Sequence, residues 1–473
     1  MLLSNVKQEI VIQFREQRFF LASGILLMLV VVAGITGWTQ FNSAENAREE
    51  FVTSAQNQWL TQGERHPHRA AHFGVYVVKP ETQLAFFEPG LRPFIGQTLW
   101  LNAHDRPVFT NIPAEDDLTL GVGIGVASGA SVLQMLASLL VLVVGALSVV
   151  RDRETGVLRQ ILSQGVSPTT WVFSKLISLF VVTLMPLFIL GLAVTLLALV
   201  LQSGMHIDDT FYRTIGLLFS NLLFLLALLA VAVSISSVCS SSRKALLMVL
   251  VFWLFGCVLA PRLASSLTTT IAPVPTLDAY QKSVGELFNN GIDARGGYGE
   301  QLTALRESTL NKYNVTSVDD LPIGFSGLRM KHLNTWGAEV DDIEYQKLTQ
   351  LYAKQNQIRT ALSLIAPFMA ARSVSQSMAG MDWIHYRHFL NAAETYRRDF
   401  GNHMDTILEN EVHGDAWEMN GDFSDWSTVS PFEYDAPSVS WALQSQIVSV
   451  LILLLWALCA LTVLFFSSRR MTP

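Results

Sequence analysis

Three histidines at short spacing suggest metal chemistry in one polar stretch of the chain. His66, His68 and His72 could supply three imidazole nitrogens to one ion, and zinc accepts such a ligand set. The alternative is that His68 and His72 form ordinary hydrogen bonds within a folded domain. The spacing predicts a metal site, and the structural interpretation stays open beside it.

A second histidine group lies much later in the chain. Asp382, His385 and His388 are three residues apart, so they share one face if this segment is helical. Neither group has the spacing of an H-E-x-x-H motif or of paired cysteines. A metalloprotease is therefore not supported.

Residues 151–168 combine charge and apolar periodicity in a pattern typical of a short amphipathic helix. The charges cluster at its start, and Gly165 predicts its end. Ser167 followed by Pro168 predicts the cap and first turn of another helix. The apolar residues expected on a single helical face are Val157, Leu158, Ile161 and Leu162.

The elements that position these residues are long apolar runs. Of 473 residues, 50% are hydrophobic and only 15% are charged, and the mean hydropathy is +0.35, which predicts a membrane protein. A nucleic-acid partner is excluded because no basic patch is present. A membrane-spanning helix needs about 20 apolar residues, and six segments qualify: 19–38, 130–150, 171–201, 215–238, 245–260 and 446–466.

Loop charges predict the orientation of these spans. The short loops and termini on one side carry eleven basic and four acidic residues, a net charge of +7, whereas the remainder of the chain is −14. Positively charged loops stay in the cytoplasm. We therefore expect both termini inside the cell and the two long insertions, 39–129 and 261–445, outside it.

The segments between the spans have patterns of their own. Residues 1–18 predict an amphipathic helix in the membrane interface, whose apolar face comprises Leu3, Val6, Ile10 and Phe14. The first insertion contains two short strand patterns, at 74–78 and 99–101, whereas the second is mostly helical, most clearly over 383–408. Residues 362–381 predict a surface or re-entrant helix pair at the outer leaflet. The predicted fold class is an α-helical membrane protein with six transmembrane helices, cytoplasmic termini and a mixed α/β extracytoplasmic domain built from two insertions.

The loop after the second span resembles a known family. The run Glu154-Thr-Gly-Val-Leu-Arg-Gln-Ile-Leu-Ser, with Ser167-Pro168 and Lys175-Leu176 after it, is similar to the coupling region of type-2 ABC transporter permeases, the ABC-2 superfamily. Six spans, internal termini and an amphipathic elbow helix at 1–18 are also features of that family. The stretches 66–74 and 382–397 resemble a bacterial subfamily with large extracytoplasmic insertions.

The resemblance implies one half of an exporter in the bacterial inner membrane. Two such subunits pair, as a homodimer or with a sister permease, and each docks an ABC ATP-binding subunit on a 151–170 coupling helix. Because the chain has no G-x-x-x-x-G-K-[S/T] loop, ATP and Mg²⁺ are expected in that partner; this chain is expected to bind no cofactor and to be no enzyme. The coupling residues carried over are Arg151, Arg153, Glu154, Gly156, Val157, Leu158, Arg159, Ile161 and Leu162.

The middle of every predicted span lacks Asp, Glu, Lys and Arg. This argues against a secondary transporter or channel that works through buried charge, and it favours a path for an amphipathic or small molecule lined by neutral polar groups. These groups could instead only join helices. The candidates are Gln134, Ser178, Ser220 and Asn221.

Two other functional classes are compatible with large outer insertions. The chain could be a membrane-anchored sensor or assembly scaffold without transport, although an anchor needs only one or two spans. A membrane-embedded hydrolase is disfavoured because a G-x-S-x-G nucleophile motif is missing. Peptides, siderophores, lipids, antibiotics and metal complexes all fit as the transported substrate.

Overall fold

Most of the chain is helical because a helix satisfies its own backbone hydrogen bonds within an apolar run. The computed structural model describes residues 2–15, 17–108, 128–201, 207–411, 413–414 and 423–471. Within these ranges, six helices are long and apolar enough to cross a membrane. This confirms the predicted number of spans.

The elements of the first half are α1 (Leu2–Arg15), α2 (Gln17–Leu60), α3 (Pro67–Phe73), β1 (Val75–Val78), β2 (Thr98–Leu101), α4 (Gly129–Glu154), α5 (Val157–Ser163), α6 (Pro168–Val194), α7 (Ile207–Val238) and α8 (Ser242–Ile271). The second half adds α9 (Leu277–Asn290), α10 (Tyr298–Tyr313), α11 (Phe325–Leu362), α12 (Pro367–Met378), α13 (Trp383–Glu411), α14 (Val439–Ser445) and α15 (Ile447–Arg469). The six candidate spans are α2, α4, α6, α7, α8 and α15.

Several of these helices are longer than the segments that hydropathy marks. Helix α2 continues past Trp38 to Leu60, and α8 continues past Ala260 to Ile271. Backbone hydrogen bonding does not stop where the side chains become polar, and in α2 an ion pair between Arg48 and Glu45 lies on the polar extension. Hydropathy therefore finds the apolar part of each helix, whereas the helix itself extends further.

Helix α7 is the centre of the spanning bundle. Its most apolar window is 61% buried, against 22% for that of α8, because α7 packs against α4, α12 and α15. Within the predicted segment 362–381, α12 is a buried helix between α7 and α15. The surface alternative is therefore wrong for α12, and the re-entrant alternative stays a prediction. The small residues of α12, including Ala370, Ala371 and Ser375, allow this close packing.

Helix α1 packs along the first part of α6, the third span. The side that it buries contains Val6 and Glu9, whereas Leu3 and Phe14 are 83% and 56% exposed. Polar contacts to α6 select the side of α1 that is buried against the protein. The placement of its apolar face in the membrane interface stays a prediction. At the same end of the bundle, the hydroxyl of Ser468 donates to Thr169 Oγ1 at 3.1 Å. We call this end, formed by α1, residues 155–167, residues 239–241 and the last turn of α15, the loop end.

Most of the described residues of the two long insertions fold together into one unit, which we call the insertion domain, whereas α12 packs within the spanning bundle. Strands β1 and β2 pair antiparallel, with Val75 opposite Leu101, and this confirms the two predicted strands. Side chains from both insertions share a hydrophobic cluster. Trp59 of α2 and Trp426 lie with ring centroids 5.6 Å apart, and each indole N–H donates to a backbone carbonyl in the other's segment.

Candidate functional site

The loop after α4 folds as its sequence predicts. Gly156 has a φ of 80°, a left-handed conformation that L side chains disfavour, and it lets the chain turn from α4 into the short helix α5. Gly165, at φ 85°, follows the end of α5. The hydroxyl of Ser167 then accepts the Thr170 N–H at 3.1 Å, and Pro168 begins α6. The predicted stop, cap and first turn are all confirmed.

Helix α5 buries one side against the spanning bundle. Leu158 is fully buried, and Ile161 and Leu162 pack against the same hydrophobic cluster. Val157 differs from the prediction, since it is 38% exposed. A residue advances about 100° along a helix, so Val157 lies at the edge of the stripe that centres on Leu158. The opposite side, which includes Arg159, is exposed.

Two adjacent charged residues tie this loop to the turn between α7 and α8. The guanidinium of Arg153 donates to the carbonyls of Cys239 at 2.5 Å and Ser237 at 2.7 Å, where α7 ends. The carboxylate of Glu154 accepts from the backbone N–H and the hydroxyl of Ser242, at 2.7 and 2.6 Å. These contacts satisfy backbone groups that helix ends leave unpaired. Arg153 and Glu154 therefore connect the loop between α4 and α6 to the turn between α7 and α8.

A hydroxyl on α7 makes a further tie close by. Near the end of α4 the helix is interrupted at Val149, and the hydroxyl of Ser236 accepts the backbone N–H groups of both Val149 and Val150, each at 2.9 Å. Neither this serine nor Ser242 is among the residues that the sequence patterns predict as functional. The run Ser240-Ser241-Ser242 between two apolar stretches is the available signal, because serine is a frequent helix cap.

A buried ionic network joins α1 to the same loop. The ammonium of Lys175 on α6 lies 2.7 Å from Glu9 and 2.9 Å from Asp152, and the indole N–H of Trp171 also donates to Asp152. Glu9 and Lys175 are only 2% and 6% exposed. Since a buried charge is tolerated when it is paired and hydrogen-bonded, this network fixes α1 and α4 on α6.

The four residues predicted to line a substrate path lie at different depths of the bundle. At about 1.5 Å of rise per residue, Gln134 is roughly 30 Å from the loop end, Asn221 roughly 25 Å and Ser178 roughly 15 Å. Ser178 accepts a hydrogen bond from Gln13 of α1 at 2.9 Å, so it fastens two helices. Ser220 donates to the carbonyl of Leu217 within its own helix.

Two of those four residues keep a polar atom available inside the bundle. Gln134 is 3% exposed and Asn221 is fully buried. Asn221 donates to the carbonyl of Leu217 at 2.9 Å, but its Oδ1, like Nε2 of Gln134, has no hydrogen-bond partner among the described residues. Unsatisfied buried amides of this kind are unusual. They single out Gln134 and Asn221 from the predicted set.

The predicted histidine set is rearranged in the structure. His66 caps α3, since its Nδ1 accepts the backbone N–H of His68 at 3.2 Å. The ring nitrogens of His68, His72 and His104 lie within 4.8 Å of one another instead. His104 follows β2, so the antiparallel pairing of β1 and β2 brings it beside α3. Local spacing could not reveal this third histidine.

Burial and mutual repulsion keep two of these imidazoles neutral. Burial, together with the smaller repulsion from His72 and His104, lowers the pKa of His68 to about 4. Burial also lowers the pKa of His104, although its hydrogen bond to Asn334 acts in the opposite direction. A neutral imidazole is the form that binds a metal ion.

The second histidine group does not form a cluster. Nδ1 of His385 lies 2.5 Å from Asp382, and both residues are 3% exposed. Burial acts to raise the pKa of Asp382, but His385 more than offsets it, so that pKa is lowered. His388 contacts the hydroxyl of Tyr434 at 3.1 Å. The pair helps to begin α13, because Asp382 also accepts the backbone N–H of His385 at 3.0 Å.

The arrangement defines a polytopic membrane protein with a short helix braced at one end of its bundle and a large insertion domain. A sequence model described as ABC-2 family transporter protein matches residues 6–471, which is nearly the whole chain. The chain belongs to this family of membrane transport components, and the family in general works with an ATP-binding partner. Neither a comparison with curated proteins nor one with solved structures found a significant match.

Proposed function

We propose that this chain is the permease subunit of an ABC exporter, and that a separate ATP-binding subunit docks on residues 151–170. The observation that carries the proposal is helix α5: one side is buried against the bundle, and the other presents Arg159 at the loop end. An exposed charged face on a braced helix suits a partner that must both bind and exert force.

The contacts of this loop support a route for that force. Leu158 packs into the bundle, and Arg153 and Glu154 hold the α7–α8 turn. Lys175 of α6 holds α1 and α4. A displacement of α5 is therefore passed to four spanning helices and to α1. Since packed interfaces switch between discrete arrangements, closure of the ATP-binding subunits would reorganise the bundle.

The proposed cargo is an amphipathic or small-molecule substrate that moves outward from the cytoplasm. The positive charge of the short loops supports a cytoplasmic loop end and an extracytoplasmic insertion domain. Neutral buried amides at Gln134 and Asn221 support a path for a molecule with few charges. In this proposal two permease chains pair within the bacterial inner membrane, each with one ATP-binding subunit that holds ATP and Mg²⁺.

The test is co-purification from a strain that expresses this permease with each candidate ATP-binding subunit of its genome. We expect one subunit to be captured at equal stoichiometry. Arg159→Glu should reduce the capture by about tenfold or more, because like charges placed across an interface cost several kcal/mol. Its thermal midpoint should stay unchanged, since Arg159 is exposed.

Arg470→Glu is the matched control, because Arg470 is also exposed at the loop end but lies outside α5. It should capture the ATP-binding subunit as the natural chain does. Equal capture by Arg159→Glu would overturn docking on α5. Capture of no ATP-binding subunit by the natural chain would overturn the exporter and leave the sensor or scaffold alternative.

A further inference from the structure

The insertion domain contains a group of three imidazoles that the transport proposal does not use. We propose that His68, His72 and His104 bind one divalent transition-metal ion, of the class of Zn²⁺ or Cu²⁺. In the part of the chain that the structure describes, they form the only group of three or more His, Cys, Asp or Glu side chains that lie close enough together to bind one metal ion.

The distances within the group suit a tetrahedral ion. With Zn–N bonds of 2.0–2.1 Å, two ligand nitrogens of a tetrahedral site are about 3.3 Å apart. The Nε2 atoms of His68 and His72 are 3.1 Å apart, and the third nitrogen lies within 4.8 Å of both. An approach of these nitrogens by up to about 1.5 Å would reach the tetrahedral spacing, and it would leave a fourth position for water or for another donor.

The orientation of the His104 ring is held by a hydrogen bond to one of its two nitrogens. Its Nδ1 lies 2.7 Å from Oδ1 of Asn334, which assigns the ring proton to Nδ1 and leaves Nε2 as the nitrogen available to a metal. The amide of Asn334 in turn donates to Asp405 at 2.6 Å. Hydrogen bonds of this kind to the distal nitrogen are the usual support of a metal-binding histidine.

The backbone also holds the ligands in place before any ion binds. His68 and His72 are one turn apart on α3, so they share a face. The loop that carries His104 is tied to α3, because the N–H of Ala103 donates to the carbonyl of Ala71 at 3.3 Å. The side chain of Asn102 accepts the N–H of His104 at 2.8 Å, and Arg397 donates to the carbonyl of Ala103.

The donor set decides the class of metal. Imidazole nitrogen suits zinc, copper and nickel, whereas magnesium and calcium prefer oxygen ligands. His72 is exposed whereas His68 and His104 are partly buried, so an ion can enter from solvent. The competing explanation is a plain hydrogen bond between two neutral imidazoles, and binding measurements separate the two.

The experiment uses the full-length protein, purified in detergent through a tag without histidine and stripped with a chelator. Titration with zinc chloride alone, followed by calorimetry and elemental analysis, should show one equivalent bound. His72→Ala should abolish this binding while the metal-free protein keeps its thermal midpoint, because His72 is exposed. His104→Ala should also abolish it, and Asn334→Ala should weaken it by about 10–100-fold.

Two histidine variants are the matched controls. His66→Asn removes an imidazole but keeps the cap of α3, since asparagine caps helices as well. His403→Ala removes a histidine of the same domain that contacts Thr428 instead. Both should bind one equivalent of zinc. Absence of binding to the natural chain, full binding by His72→Ala, or loss of binding by His66→Asn would each overturn the proposal.

Discussion

The buried hydroxyl oxygen of Ser236 makes two hydrogen bonds that connect α7 to α4. It accepts two consecutive backbone N–H groups, those of Val149 and Val150, at the point where α4 is interrupted. A hydroxyl oxygen has two lone pairs, so both are used. The interruption in α4 therefore leaves neither of these two N–H groups unpaired inside the bundle.

Ser236→Ala is expected to lower the free energy of unfolding by about 1–3 kcal/mol, because it leaves buried donors unsatisfied. Ser237→Ala is the control: its hydroxyl donates to the carbonyl of Ser234 in its own helix, and both serines are fully buried. Unfolding in mixed detergent and SDS micelles measures the difference. Equal losses for the two variants would contradict the role assigned to Ser236.

For individual residues, the sequence predicted the roles that depend only on residues nearby in the chain. Gly165, Ser167 and Pro168 mark a helix end and a helix start through local backbone preferences, and all three are found in those places. His104 and Ser236 act through contacts with residues 32 or more positions away, so no local spacing could identify them.

The contact between α1 and α6 depends on charge as much as on apolar packing. Lys175 lies between the carboxylates of Glu9 and Asp152, and the three bring α1, α4 and α6 together. Leu3 and Phe14, which the sequence predicts on the face of α1 that lies in the membrane interface, do not pack against the protein: both are exposed. The specific partner of α1 is therefore set by the ionic network.

Lys175→Met is expected to destabilise the protein by about 3–5 kcal/mol, since removal of one partner leaves buried charge uncompensated. Lys244→Met is the matched control because Lys244 is exposed at the loop end. Thermal unfolding in detergent measures both. Adding Glu9→Gln to Lys175→Met should recover part of the loss, and a Lys175→Met protein as stable as the control would refute the network's importance.

The sequence predicted where helices and strands form better than it predicted which of them are buried. Helix α13 and the two strands were predicted because their periodicity is clear. The segment that contains α12 is too polar for a predicted span, which favoured a surface or re-entrant helix pair, yet its Ser375, Gln376 and Ser377 are fully buried. The hydroxyl of Ser375 donates to Glu88 at 2.8 Å, so tertiary contacts satisfy a helix whose composition suggests exposure.

The whole molecule should respond to pH through carboxylates buried in the insertion domain. Burial raises the pKa of Asp405 to about 7 and that of Asp341 to about 6. Because the folded state holds these protons more tightly than the unfolded state does, their contribution to stability is complete below about pH 4. It is lost as the pH rises through 6 and 7.

In the natural protein we expect the free energy of unfolding to decrease between pH 4 and pH 7. Asp405→Asn should make this decrease smaller, by about 4 kcal/mol at most. The change keeps an acceptor for Asn334. Asp293→Asn is the control: hydrogen bonds from Arg295 lower the pKa of Asp293, so it titrates below this window. Denaturation at several pH values checks the slope, and an unchanged slope in Asp405→Asn would exclude Asp405 as its source.

The pairing of Trp59 with Trp426 also has a consequence for biosynthesis. These two indoles are 367 residues apart in the chain, and chains grow at about 5–20 residues per second. The first insertion therefore waits on the order of half a minute, while most of the bundle is still being translated, before its partner segment exists. During that interval the strands of the first insertion and Trp59 expose apolar surface. We therefore expect chaperones to bind this segment of the nascent chain.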